Sequence, residues 1–187
     1  MGKLYIGLIH YPVLNKRGEV AATALTGLDV HDIARSAKTY GVERYFVVTP
    51  LPTQQGIAAR IRRYWLESEL DHTRAEALEL VEVVPSYEES LLRIERWEGR
   101  RPLTVGTSAR KLEHLKVARI GYEELRRRVD LDPEPVYILF GTGWGLADSL
   151  IERLDLLLEP IWGPGEWNHL SVRAAAAIIL DRLRGKL

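Results

Sequence analysis

Six short apolar runs recur along the chain with little polar alternation: Leu4 to His10, Arg44 to Thr49, Leu80 to Val84, Leu103 to Gly106, Val136 to Phe140 and Leu154 to Glu159. A strand that alternates apolar and polar residues has one face in water. A strand this uniformly apolar is covered on both faces, which is the condition of a parallel sheet flanked by helices. The intervening segments have helical patterning, roughly Asp29 to Tyr40, Thr53 to Ser68, Ser86 to Trp97, Tyr122 to Arg128, Ala147 to Arg153 and His169 to Arg184. Alternation of this kind predicts an α/β fold with a mostly parallel sheet and helices on both faces. With 187 residues, one domain over 1–187 is expected.

Hydrophobic residues make up 46% and charged residues 28%, enough apolar material for a core and too much for a disordered chain. Lys plus Arg number 26 and Asp plus Glu number 26, so no global positive field marks a polyanionic partner, and nucleic-acid contact has to come from local patches. The absence of cysteine removes disulfides, thiolate metal sites and cysteine nucleophiles together. His10, His31, His72, His114 and His169 lack the spacing of metal ligands, so no metal is expected. The apolar run Leu4 to Ile9 is too short for a signal-peptide core, and no window has the ~18 apolar residues of a membrane span. These features point to the cytoplasm.

Four segments could carry chemistry. Gly141-Thr142-Gly143-Trp144-Gly145 follows a predicted strand directly, where an α/β sheet binds ligands and where glycine lets the backbone come close to them. A dinucleotide fingerprint would need glycine at Leu146, and although Glu159 mimics its ribose-binding acid, too little chain follows for a second βαβ unit. A plain strand-to-helix turn is the alternative. Pro160 to Asn168 contains two glycines and two prolines, which fix an irregular path that leaves backbone N–H and C=O groups free; Asn168 is a candidate cap for the last helix. Gly106-Thr107-Ser108-Ala109-Arg110 closes a third strand. Three strand ends with small or polar residues suit one shared pocket. The fourth segment, Asp29 to Arg35, opens the first helix with Asp29 as a candidate cap and Asp32 and Arg35 spaced to pair.

Two basic clusters stand out. Arg60, Arg62 and Arg63 lie beside Tyr64 and Trp65, the combination that phosphate contact and base stacking require, and Arg126 to Arg128 form a second group; the alternative for each is a solvated helix face. The last helix has apolar residues on more than one face, among them Val172, Ala174, Ile178, Ile179 and Leu183, as expected for a subunit contact or for a central core helix.

These segments, in this order, resemble the SPOUT superfamily of RNA methyltransferases, in particular its SpoU-like members and a small stand-alone bacterial family. Asp29 to Val42, DVHDIARSAKTYGV, is similar to the first motif, with Arg35 on the functional arginine, Gly41 on the closing glycine and Asp29 in place of an asparagine. Ile138 to Leu146 is similar to the second motif without its acid. Pro160 to Gly163 and Asn168 to Val172 are similar to the third, whose asparagine falls on His169 with Asn168 one place earlier.

The resemblance implies a C-terminal deep trefoil knot, S-adenosylmethionine as cofactor, RNA (tRNA or rRNA) as substrate, and a homodimer whose active site uses both subunits. It places Thr107, Phe140, Gly141, Thr142, Pro160, Ile161, Gly163, Asn168, His169 and Leu170 around the cofactor and Arg35 at the reacting nucleotide, with ribose 2′-O-methylation as the expected reaction. Asp29 and Asp32 suit the variant in which an aspartate takes a proton from a base nitrogen. A non-catalytic module that binds the cofactor or RNA without turnover is the rival from another class.

Overall fold

The computed structural model describes residues 2–68 and 72–186. In chain order the elements are β1 (Leu4–Ile9), β2 (Val13–Leu14), β3 (Val20–Ala21), α1 (Gly27–Thr39), β4 (Arg44–Val48), α2 (Pro52–Glu67), α3 (His72–Leu78), β5 (Val81–Val84), α4 (Tyr87–Glu98), β6 (Leu103–Gly106), β7 (Ala118–Ile120), α5 (Tyr122–Leu131), β8 (Val136–Gly141), α6 (Asp148–Ile151), β9 (Leu156–Leu158) and α7 (Val172–Arg184). Seven strands form one sheet in the order β5-β4-β1-β8-β6-β9-β7, every neighbouring pair being parallel; β2 and β3 form a separate antiparallel hairpin.

Side chains alternate across the sheet, so the uniformly apolar strands feed two cores. Leu4, Ile6, Leu8, Val136, Ile138 and Phe140 pack on the side of α1, α3, α5 and α7, whereas Tyr5, Ile9, Phe46, Tyr137 and Leu139 pack on the side of α4 and α6. Gly7 of β1 makes room for a neighbour: a Cβ there would lie 2.4 Å from the Tyr137 hydroxyl, which donates to Ser90 Oγ at 2.8 Å. Helix α7 buries Ala176, Ile179, Leu180 and Leu183 and packs against α1 and α5, while Ala174 and Ile178 stay partly exposed.

The strand order positions the site. From β1 the chain first moves outward to β4 and β5, then returns through β6 and β8 on the other side, so the connections diverge between β1 and β8, where α/β sheets open a crevice. Parallel β1, β8, β6 and β9 are adjacent, and the segments 10–26, 142–147, 107–117 and 159–171 therefore leave the same edge side by side. No helix among the described residues is long and apolar enough to cross a membrane.

Three expectations about local structure are corrected. Thr26, not Asp29, caps α1: its Oγ1 accepts from Asp29 N at 3.2 Å and its hydroxyl donates to Asp29 Oδ2 at 2.7 Å. Ser171, not Asn168, caps α7, accepting from Ala174 N at 3.2 Å. Asp32 does not pair with Arg35; Asp29 and Asp32 both face Arg173 of α7 at 3.7 Å.

Candidate active site at the carboxyl edge of the sheet

A cleft of ≈ 710 Å³ opens where the four segments leave the sheet. Its walls come from Thr107 to Arg110 after β6, Phe140 to Gly145 at the end of β8, Glu159 to Ile161 and Asn168 to Val172 after β9, and Thr23, Ala24, Thr26 and Asp29 around the start of α1. Nine of the ten residues expected around a cofactor line it: Thr107, Phe140, Gly141, Thr142, Pro160, Ile161, Asn168, His169 and Leu170. Gly163 does not; it lies in the exposed stretch 162–167, none of whose residues lines the cleft.

The floor is main chain held in a fixed shape. At Gly141 a Cβ would lie 2.4 Å from Leu146 N, so only glycine permits the loop to fold back on the strand end. Gly143 and Gly145 take φ of 60° and 97°, in the left-handed region. The returning loop is sewn to the hairpin by Leu14 N to Gly145 O at 2.9 Å, Trp144 N to Leu14 O at 3.0 Å and Ala147 N to Pro12 O at 3.2 Å. By contrast, no main-chain hydrogen bond among the described residues engages the backbone of 161–170. Asn168 Nδ2 donates to Ala109 O at 3.2 Å and holds this segment to the loop after β6.

Polar side chains beneath the loop form a directional chain. Thr142 Oγ1 donates to Ile9 O at 2.9 Å, so its contact with Thr23 Oγ1 at 2.5 Å has Thr23 as donor. Thr23 then accepts from His10 Nδ1 at 3.0 Å, which assigns the proton of neutral His10 to Nδ1 and leaves buried Nε2 without a hydrogen-bond partner among the described residues. Burial pushes His10 down to about 4, against the opposing field of Asp29. Arg110, a cleft-lining residue, donates through Nη2 to Leu146 O at 2.9 Å and to Asp148 Oδ1 at 3.4 Å, while its buried Nε has no hydrogen-bond partner among the described residues.

The expected catalytic and RNA-binding side chains divide. Asp29 lines the cleft; Asp32 and Arg35 do not. Exposed Arg35 has no side-chain partner among the described residues. It belongs to a second region, a basic and aromatic face of α1, α2 and α3. There His31 packs edge-on against Trp65 with ring centroids 5.6 Å apart, and the Arg74 guanidinium sits 4.3 Å above the Trp65 ring. Burial lowers His31, and the fields of Arg74 and Arg35 lower it further. Arg60 and Arg63 are exposed on α2, whereas Arg62 is partly buried, with a buried Nε that has no partner among the described residues. Arg126 clasps the end of α7 through Arg182 O and Gly185 O, and Arg128 pairs with Glu124, so this second basic group largely serves the fold.

Thr23, Ala24, Thr26 and Tyr122 also line the cleft and were not predicted. Only Thr23 and Thr26 carried a usable signal, as hydroxyl residues between the first strand and α1. No group of three or more His, Asp or Glu side chains among the described residues is placed to hold a metal ion.

A family described as SAM-dependent RNA methyltransferase matches residues 3–185 of the chain. An uncharacterized protein of Aquifex aeolicus is 42% identical over 183 residues, covering 96% of this chain and 87% of its own. A tRNA (guanine-N(1)-)-methyltransferase of Oleidesulfovibrio alaskensis is 42% identical over 185 residues, 97% of this chain; the match spans only 42% of that protein's length. Among solved structures, TrmJ from Z. mobilis superposes with a TM-score of 0.63 at 13% identity, covering 100% of this chain and 70% of that one. A structure described in terms of 2-OH methylation on tRNA gives 0.56 at 17% identity, covering 97% and 94%.

Proposed function

The chain belongs to the SAM-dependent RNA methyltransferase family, and on that premise we propose that it methylates a ribose 2′-hydroxyl of tRNA, with Arg35 of one subunit completing the cleft of another. The observation that carries the reading is the convergence of three glycine-rich or irregular strand-end segments on one cleft. That cleft suits S-adenosylmethionine: the unbonded main chain of Ile161 and of Asn168 to Leu170, on its wall, offers donors and acceptors for an adenine edge. Phe140, Gly141, Ile161, Asn168 and Leu170 would hold the nucleoside half. The cofactor supplies an electrophilic methyl group, so the chain itself has to align the acceptor oxygen and manage its proton.

Arginine is a poor base, because its guanidinium keeps its proton throughout the physiological range. Arg35 therefore binds the phosphate beside the target and stabilises the developing alkoxide, the proton leaving to phosphate or solvent. Its position outside the cleft of its own chain, exposed and without a side-chain partner among the described residues, is what supports a homodimer with shared sites. The partly exposed Ala174 and Ile178 on α7 and exposed Leu170 offer apolar surface for the same contact. Mixing Arg35→Ala subunits with cleft-defective Gly141→Val subunits should restore about one quarter of wild-type activity if sites are shared, and none if each subunit works alone. We also read the segments 107–117, 142–147 and 159–171 as the loops of a C-terminal trefoil knot in a cytoplasmic enzyme. A contour-length shortfall after mechanical extension tests the knot.

A second reading, base-nitrogen methylation, is favoured by the name of the tRNA (guanine-N(1)-)-methyltransferase relatives. The matched portion is under half of that protein, so the named activity need not reside in it. Asp29 would be the proton acceptor, since Asp32 lies outside the cleft, yet Asp29 already accepts from Thr26 and faces Arg173. Incubation with labelled S-adenosylmethionine and tRNA from a strain lacking the gene decides between them: label should appear in 2′-O-methyl nucleosides, and label confined to methylated bases would overturn the ribose reading.

A further inference from the structure

The hairpin β2–β3 and the loop it braces have an outer side with no role so far. Leu14 and Pro12 bond to the backbone of 144–147, so the hairpin is a fixed extension of the cleft wall, and Thr23 and Ala24, just beyond it, line the cleft. Its tip is rigid as well: Asn15 Oδ1 accepts from Arg17 N at 2.8 Å and Glu19 N at 3.0 Å, and Asn15 N donates to Glu19 O at 2.9 Å. The single carboxylate in the tip, Glu19, is taken by Asn15 Nδ2 at 2.8 Å. Lys16 and Arg17 are therefore exposed cations with no ion-pair partner among the described residues. Next to them Trp144, whose N–H donates to Leu14 O, exposes 56% of its surface at the cleft mouth, and Tyr11 exposes 43%.

Unpaired cations on a rigid support beside an exposed indole match the needs of a nucleic-acid strand: charge for phosphates and a flat face for a base. An acidic protein surface would answer the cations alone, whereas a nucleic-acid strand answers the cations and the indole together, which makes it the better occupant. We propose that this hairpin is the RNA clamp of the enzyme: Lys16 and Arg17 bind the phosphates flanking the target nucleotide, and Trp144 stacks the base beside it. The clamp rests on the methyl-transfer reading and adds to it the path by which single-stranded RNA enters the cleft.

Binding of total cellular tRNA, followed by filter retention at several salt concentrations, tests the clamp. Lys16→Ala with Arg17→Ala should weaken binding about tenfold and reduce the slope of log affinity against log salt by about 1.4, two phosphate contacts on a single strand. Calorimetric affinity for S-adenosylmethionine should stay unchanged. Trp144→Ala should weaken tRNA binding about tenfold, with Trp144→Phe restoring most of it. Unchanged affinity and slope in the double variant would overturn the clamp even if the wild type methylates RNA. A wild type that binds tRNA through the hairpin but transfers no methyl group would instead contradict the enzymatic reading and leave the clamp standing.

Discussion

The cleft and the basic, aromatic face of α1 to α3 are built from different materials. In the cleft the working groups are main-chain atoms, placed by a returning loop that tolerates no Cβ at Gly141 and by Ile161 and Asn168 to Leu170, whose backbone is unbonded among the described residues. On the helical face they are side chains, Arg35, Arg60, Arg63, Arg74 and Trp65, projecting from regular helices. Backbone placement suits a ligand that never changes, because its precision is inherited from the sheet edge. Side-chain placement suits a variable, charged partner met from solvent. The two regions should therefore fail differently when altered.

The sharpest contrast is expected at Arg35. Arg35→Ala should lower the methyl-transfer rate by about 10²–10³ while leaving cofactor affinity intact, and Arg35→Lys should not restore it, because a point charge does not reproduce the guanidinium fork. Single-turnover kinetics with separately measured cofactor binding check this. In the cleft, Gly141→Val should do the opposite: overpacking against Leu146 N costs about 1–3 kcal/mol, so cofactor affinity falls by about tenfold to hundredfold with the far-UV spectrum unchanged. If each variant damaged both properties equally, the division between the regions would be lost.

This division also explains what the sequence could reveal. The six core strands were legible from uniform apolarity, and the parallel arrangement followed. The strand β7 was not, because Ala118 and Arg119 are exposed and only Ile120 is buried, leaving no pattern to find. The hairpin β2–β3 is held largely by bonds to the glycine loop, a tertiary cause invisible in local periodicity. Helix α3 buries only Ala77 and Leu78. In the site, the loops announced themselves through glycine and proline, whereas the roles of His10 and Arg110 depend on partners more than a dozen residues away in sequence.

His10 yields a smaller, pH-dependent effect. Its folded-state value, about 4, lies below the ordinary 6.5, so between those values the unfolded chain takes up a proton that the folded chain refuses. Stability is therefore complete above about pH 6.5 and declines as pH falls toward 4, by about 1 kcal/mol per pH unit in the middle of that window. Urea unfolding at several pH values checks the slope, and His10→Asn, which keeps a donor toward Thr23 and cannot titrate, should flatten it. The α2 arginines should show the mildest response: Arg60→Ala with Arg63→Ala is expected to weaken tRNA binding less than tenfold and to reduce its salt dependence, with cofactor affinity untouched.

Hydrogen exchange with and without saturating S-adenosylmethionine reads the division in one experiment. Amides of 107–110, 141–147, 161 and 168–171 should slow on cofactor addition, while those of α2 and α3 exchange as before. Protection confined to the helical face, or none at the three strand ends, would contradict a cofactor site made of main chain.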